Sequence, residues 1–112
     1  MTPLTCTFTF GATGTTSPNV QMNENGYIEN LIAAIPNFTN AVTATIGIYD
    51  ASGVELYTAT GITKNGTFKP QSSDLGKVPV DYGFTMRCSI SGDAGGTGGA
   101  VTVRAFVSRN KP

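Results

Sequence analysis

The chain has 112 residues, with seven basic and seven acidic side chains and a net charge of zero. It has no histidine and no tryptophan, and its two cysteines stand far apart. This excludes histidine acid–base chemistry, histidine-ligated metals and zinc ribbons, and a grip on nucleic-acid phosphates would need a basic excess that is missing.

The length predicts one domain, residues 1–112, with one modest core. Charged residues make up 12% of the chain, about half the usual share. Three causes fit: threonine-faced β structure, an extracellular or virion setting, or a surface covered by neighbours in an assembly, where charge is depleted. A hydrophobic content of 39% is too high for a disordered chain. The start, Met-Thr-Pro-Leu-Thr-Cys, has no basic region followed by an apolar stretch, so synthesis and retention in a cytoplasm is the expectation. No apolar run approaches the ~20 residues of a membrane span.

In chain order, period-two alternation dominates. Leu4, Cys6, Phe8 and Phe10 alternate with Thr5, Thr7 and Thr9, which predicts a half-buried strand with a threonine outer face. Gly11–Asn19 reads as a loop and Val20–Met22 as a short strand before a turn at Asn25-Gly26. Tyr27–Ile35 is ambiguous. Ile28, Leu31, Ile32 and Ile35 fit a helical stripe, and they also fit a strand apolar on both faces. Gly26 and Pro36 bracket only nine residues, which favours the strand.

Val42, Ala44, Ile46 and Ile48 alternate with Thr43, Thr45, Gly47 and Tyr49. Asp50-Ala51-Ser52-Gly53 then reads as a tight hairpin turn. The return strand is expected to bury Val54, Leu56 and Thr58 on one face and carry Glu55, Tyr57 and Ala59 on the other. Residues 61–83 read as irregular, with room for an edge strand near Thr67–Lys69. Phe84, Met86, Cys88 and Ile90 form the next inward row, and Val101, Val103, Ala105 and Val107 the last. Between these rows, Gly92–Gly99 reads as a flexible hairpin loop. The predicted fold is all-β: a single antiparallel β-sandwich, jelly-roll or Ig-like, of six to eight short strands. Phe8, Ile46, Ile48, Leu56, Met86, Cys88, Val101 and Val103 are its expected core.

No constellation reads as catalytic, so the expectation is a protein that is not an enzyme and uses no cofactor or metal. Cys6 and Cys88 fall on inward faces, where two free buried thiols are favoured over a disulfide. The glycine loop lacks the Lys-Ser/Thr ending of a phosphate cradle. The carboxylates form neither a glycosidase pair nor a calcium run. Tyr49 and Tyr57 are candidates for a cross-strand pair at the hairpin, and Phe38, Phe68 and Phe106 are among the aromatics that a sugar-binding surface would use.

Asn25-Gly26-Tyr27-Ile28-Glu29-Asn30-Leu31-Ile32-Ala33-Ala34-Ile35-Pro36 is followed by Ala44-Thr45-Ile46-Gly47-Ile48-Tyr49-Asp50-Ala51-Ser52-Gly53-Val54-Glu55-Leu56, a proline-bearing loop and two closing strands around a glycine-rich turn. This layout, over residues 25–107, resembles the small β-sandwich virion proteins of tailed bacteriophages, including capsid decoration (cement) proteins. The resemblance implies a protein made in the host cytoplasm that sits on the capsid exterior and stabilises the lattice. Its partners would be the major capsid protein and itself, as a homotrimer before a dimer, with no nucleic acid and no membrane. The alternatives are a tail, neck or fibre-associated phage part and a small carbohydrate-binding module. Contacts are expected on the loops Gly11–Asn19, Thr63–Asp81 and Gly92–Gly99 and on the terminal arms. Tyr82, Gly95, Gly96, Arg109 and Lys111 are the candidate contact residues.

Overall fold

The computed structural model describes residues 3–22, 25–69 and 78–108. Nine strands form there: β1 (Pro3–Phe10), β2 (Val20–Gln21), β3 (Gly26–Ile35), β4 (Thr43–Tyr49), β5 (Glu55–Thr63), β6 (Gly66–Phe68), β7 (Pro79–Val80), β8 (Thr85–Ile90) and β9 (Gly99–Ser108). The stretch 61–83, read as irregular, is thus partly strand. β5 runs on to Thr63, β6 takes the place of the edge strand near Thr67–Lys69, and β7 also falls inside the stretch. Residues 70–77 lie outside the described residues.

All pairings are antiparallel and nested. β1 pairs with β9, β2 with β8, β3 with both β6 and β7, and β4 with β5. This is one long hairpin whose tip is the β4–β5 turn. Wrapping that hairpin on itself brings β9 against β3 and β8 against β4. Two sheets result, β1-β9-β3-β6 with β7 on the same β3 edge (sheet A), and β2-β8-β4-β5 (sheet B). β6 meets Ala33–Ile35 and β7 meets Gly26–Tyr27, so the two short strands share one position in the sheet. The nine strands therefore fill eight positions. Two sheets of four positions, made by wrapping a hairpin, are a jelly roll, and this pairing decides between the two sandwich topologies that the sequence left open.

The core lies between the sheets. Phe8, Ile28, Leu31, Ile46, Ile48, Met86, Val101 and Val103 are fully buried in it. β1 follows its alternation: Cys6, Phe8 and Phe10 point in, and Thr5, Thr7 and Thr9 are exposed. Bulges decide the inward rows of β3 and β5. In β3 the register shifts between Ile28 and Asn30, and the Asn30 side-chain oxygen accepts the Leu31 amide at 2.9 Å. The extra residue, Glu29, turns Leu31, Ala33 and Ile35 inward and leaves Ile32 half-buried outside.

In β5, Tyr49 pairs with Glu55 but Ile48 with Tyr57, and a second shift separates the Ile46–Ala59 and Ala44–Ile62 pairs. Gly61, at φ 67°, lies within that second shift. Tyr57 and Ala59 therefore share the inward face of Ile48 and Ile46. Leu56, expected in the core, is only partly buried, and Val54 is exposed. Tyr49 and Tyr57 face opposite sides of the sheet, so the expected tyrosine pair does not form.

Cys6 lies in sheet A and Cys88 in sheet B, and both are free and buried. Burial pushes the Cys6 thiol up to about 11 and the Cys88 thiol up to about 12. The folded protein holds both as neutral thiols at a pH near 9.0, where the thiols of an unfolded chain ionise. Between pH 9 and 11 the unfolded state therefore binds fewer protons, and stability falls as pH rises. The midpoint of urea unfolding is expected to drop across that window, and less so in Cys6→Ala/Cys88→Ala. At pH 8 both thiols should resist an aromatic disulfide reagent until the protein is denatured.

Ile46→Ala removes a fully buried side chain from the centre of sheet B. It is expected to cost about 2–5 kcal/mol, a large share of the stability of a small domain. Thermal melting of the variant within a degree or two of the parent would contradict the assigned core.

Candidate functional site

The two ends of the sandwich differ in kind. At one end, residues 92–98 carry the chain from β8 in sheet B to β9 in sheet A, so this segment is a crossover and not the hairpin expected from its glycines. Nor is it a free arm. The Gly95 amide donates to the Ala12 carbonyl at 2.9 Å, and the Asn40 amide donates to the Ala94 carbonyl at 2.9 Å. Asp93 accepts from the Gly14 amide through its carboxylate and from the Asn40 side chain through its carbonyl. Ala94 is fully buried.

Gly95 and Gly96 have φ of 76° and 55°, and a side chain at Gly96 would strike the Thr39 hydroxyl. Gly98, at φ 76°, passes so close to Phe10 and Gly11 that a Cβ would collide with their backbone. The glycines serve close packing of three loops, with tertiary hydrogen bonds holding the segment in place. Below them, Phe10 and Phe38 meet edge to face, with ring centroids 6.1 Å apart. Phe38 is fully buried, so it is removed from the candidate sugar-facing aromatics. Lys64 donates to the Phe38 carbonyl at 2.6 Å and Asn65 to the Pro36 carbonyl at 3.0 Å, which anchors the β5–β6 turn here too.

At the opposite end two turns lie side by side, and the Asn25 side chain donates to the Asp81 carboxylate at 3.3 Å. In the β4–β5 turn, the Asp50 carboxylate accepts the Ser52 and Val54 amides at 2.8 and 2.9 Å, and Gly53 takes φ 86°. The turn that leads into β8 is tied by the Asp81 carboxylate, which accepts the Tyr82 amide at 2.7 Å. Tyr49 pairs with Thr85, so the two turns sit side by side. A Cβ on Gly83 would lie 3.7 Å from that of Ala51. Among the described residues, Val54 and Tyr82 are the exposed large hydrophobic side chains, at 58% and 64% exposure. Both belong to this end. Two rigid turns thus present an apolar residue and an aromatic one to solvent.

Next to these turns, the outer face of sheet B holds a feature that the alternation pattern did not reveal. Gly47 pairs with Arg87 on one side and Thr58 on the other. The Tyr49 ring folds back over Gly47, and a Cβ there would come within 2.7 Å of it. The Arg87 guanidinium stacks on the same ring, 4.1 Å from its centroid. A depression of about 310 Å³ opens around them. The signal that could have found it is a glycine inside a strand whose outward row is otherwise Thr43, Thr45 and Tyr49, because a strand glycine marks close approach of another group.

Of the sequence-predicted contact residues, Tyr82 stands exposed at the open end, while Gly95, half-buried, and Gly96, exposed, lie in the crossover at the closed end. Arg109 and Lys111 lie outside the described residues.

No family model matches the chain, and no curated protein matches it. Among solved structures, the chain is similar to one in the structure of infectious bursal disease virus, Gx strain, with a TM-score of 0.38 and 12% sequence identity. The alignment covers 97% of this chain and 33% of that one, so this chain spans about a third of the length of the chain it matches.

Replacing residues 92–99 by a two-residue turn is expected to abolish the cooperative thermal transition, since it removes the crossover and the buried Ala94. Gly98→Ala alone should destabilise by more than ~1 kcal/mol, because alanine cannot adopt this φ without strain. Native-like melting of both variants would show that the segment is dispensable.

Proposed function

We propose that this protein is a structural component of a virion, of the capsid decoration kind found on tailed bacteriophages. In this reading it docks on the exterior of the capsid shell after synthesis in the host cytoplasm, with the major capsid protein as its partner. The observation that carries the reading is the wrapped-hairpin jelly roll, an architecture used by viral capsid domains. The support is therefore one of fold, joined to the sequence layout described above.

Two features agree with it. The outer face of β1 is an uncharged threonine row, and its neighbour β9 adds Thr102 and a single charge, Arg104, so sheet A offers a broad and nearly neutral face. The open end offers Tyr82 and Val54 on turns braced by aspartate side chains. Many copies making such shallow contacts would stabilise a lattice by mass action.

Jelly rolls also serve as lectin domains. A sugar platform needs an open aromatic face, and here Tyr49 is stacked by Arg87, while Tyr82 projects from a turn. The carbohydrate reading is therefore the weaker one.

Quantitative mass spectrometry of purified particles tests the proposal. A copy number comparable with that of the major capsid protein is the expected result. A few copies at the tail would move the protein to the tail, and its absence from particles would end the virion reading. Tyr82→Ala should leave the melting temperature unchanged and weaken binding to shells stripped of the protein by about 1–2 kcal/mol.

A further inference from the structure

We propose that the depression around Arg87 on the outer face of sheet B is a binding site for a carboxylate group. Arg87 sits in the middle of β8, and its guanidinium is held against the Tyr49 ring. Its Nε donates a long hydrogen bond, 3.4 Å, to the Thr85 hydroxyl. Among the described residues its two terminal nitrogens have no hydrogen-bond acceptor, and no carboxylate pairs with it. A guanidinium has five donors in a rigid plane, so most of this binding capacity is unused. The side chain is partly buried, which weakens competition from water and makes the missing partner matter more.

The geometry around the cation suits a planar anion. Stacking on Tyr49 fixes the plane of the fork before any ligand arrives, which lowers the entropy lost on binding. Thr16, Ser17, Asn19, Thr45 and Ser89 line the same depression, so its wall is polar. Among the described residues Arg87 is the cation in that lining, and a single planar fork matches one carboxylate in a bidentate pair. A phosphate dianion would call for a second positive group. The volume, about 310 Å³, admits one acidic side chain or one acidic sugar ring.

Gly47 is the positioning residue. A methyl group there would displace the Tyr49 ring, and with it the surface on which Arg87 rests. The inference is independent of the virion reading, because it concerns what the isolated protein binds.

The test is a nuclear magnetic resonance titration of the full chain, following the Arg87 Nε–H and Tyr49 ring signals. Three probes are used: N-acetyl-glutamate amide, N-acetylneuraminic acid, and the neutral N-acetyl-glutamine amide. Saturable shifts at Arg87 and Tyr49 with an acidic probe, and none with the neutral one, are expected. Saturation by the glutamate derivative alone assigns a protein side chain as the source of the carboxylate. Saturation by the sugar acid alone assigns a saccharide, and saturation by both keeps the site for the shared group.

R87Q should weaken the acidic probe about tenfold or more, and R87K less, since a lysine keeps the charge but loses the fork. G47A should keep the native amide spectrum elsewhere, broaden or shift the Tyr49 ring signals, and weaken binding as well. Equal response to the glutamine derivative, no saturation with either acid, or unchanged affinity in R87Q would overturn the proposal.

Discussion

β9 must satisfy its backbone on both sides. It lies inside sheet A, between β1 and β3, with Val101, Val103, Ala105 and Val107 buried beneath it. A buried strand has no water to complete its hydrogen bonds, so each edge needs a neighbour. Those neighbours come from distant parts of the chain: β1 is the first strand, and β3 is reached only by wrapping the hairpin. The pairing of β9 with β1 is unbroken over eight residues, from Pro3–Phe106 to Phe10–Gly99. Its pairing with β3 carries the Glu29 bulge. Placing β9 brings the first and last strands together and closes the jelly roll, and the equivalent placement of β8 against β4 follows in sheet B.

That closure gives the molecule a sealed end and an open end. At the sealed end the β8–β9 crossover must pass over Phe10 and beside Thr39 and Asn40, and glycine is the residue that lets backbones approach so closely. At the open end the chain reverses in short turns tied by Asp50 and Asp81. Among the described residues, the exposed large apolar side chains, Val54 and Tyr82, belong to these turns. The Arg87–Tyr49 stack adjoins this end, where a Cβ on Gly53 would lie 3.9 Å from an Arg87 terminal nitrogen. The exposed apolar side chains and the Arg87–Tyr49 stack thus lie near one another, away from the closely packed crossover.

The strands were legible because their inward rows follow period two. β1, β8 and β9 bury the inward rows that alternation selects, apart from Leu4 and Phe84 at their ends, which are half-buried. The segment Tyr27–Ile35 resisted a single reading for a physical reason. A bulge at Glu29 sets the inward residues Ile28 and Leu31 three positions apart, which is also the spacing of a helical face. In β5, two shifts moved the inward row from Leu56 to Tyr57 and Ala59. A one-residue slip reverses every side chain in a strand, and an alternation pattern carries no mark of where a bulge will fall.

The sequence by itself determined the class of the protein: an all-β chain, low in charge, with two cysteines on inward faces and a turn at Asp50–Gly53. These follow from side-chain period, backbone preference and composition, which are local properties. Only the tertiary structure decided that the sandwich is a jelly roll, that the glycine-rich segment is a strapped crossover, and that Tyr49, Gly47 and Arg87 form one surface. Tyr49 and Arg87 are 38 positions apart and meet through strand register. Register depends on how hydrophobic rows and backbone hydrogen bonds are satisfied across the whole sandwich at once, and no local stretch of the chain contains that information.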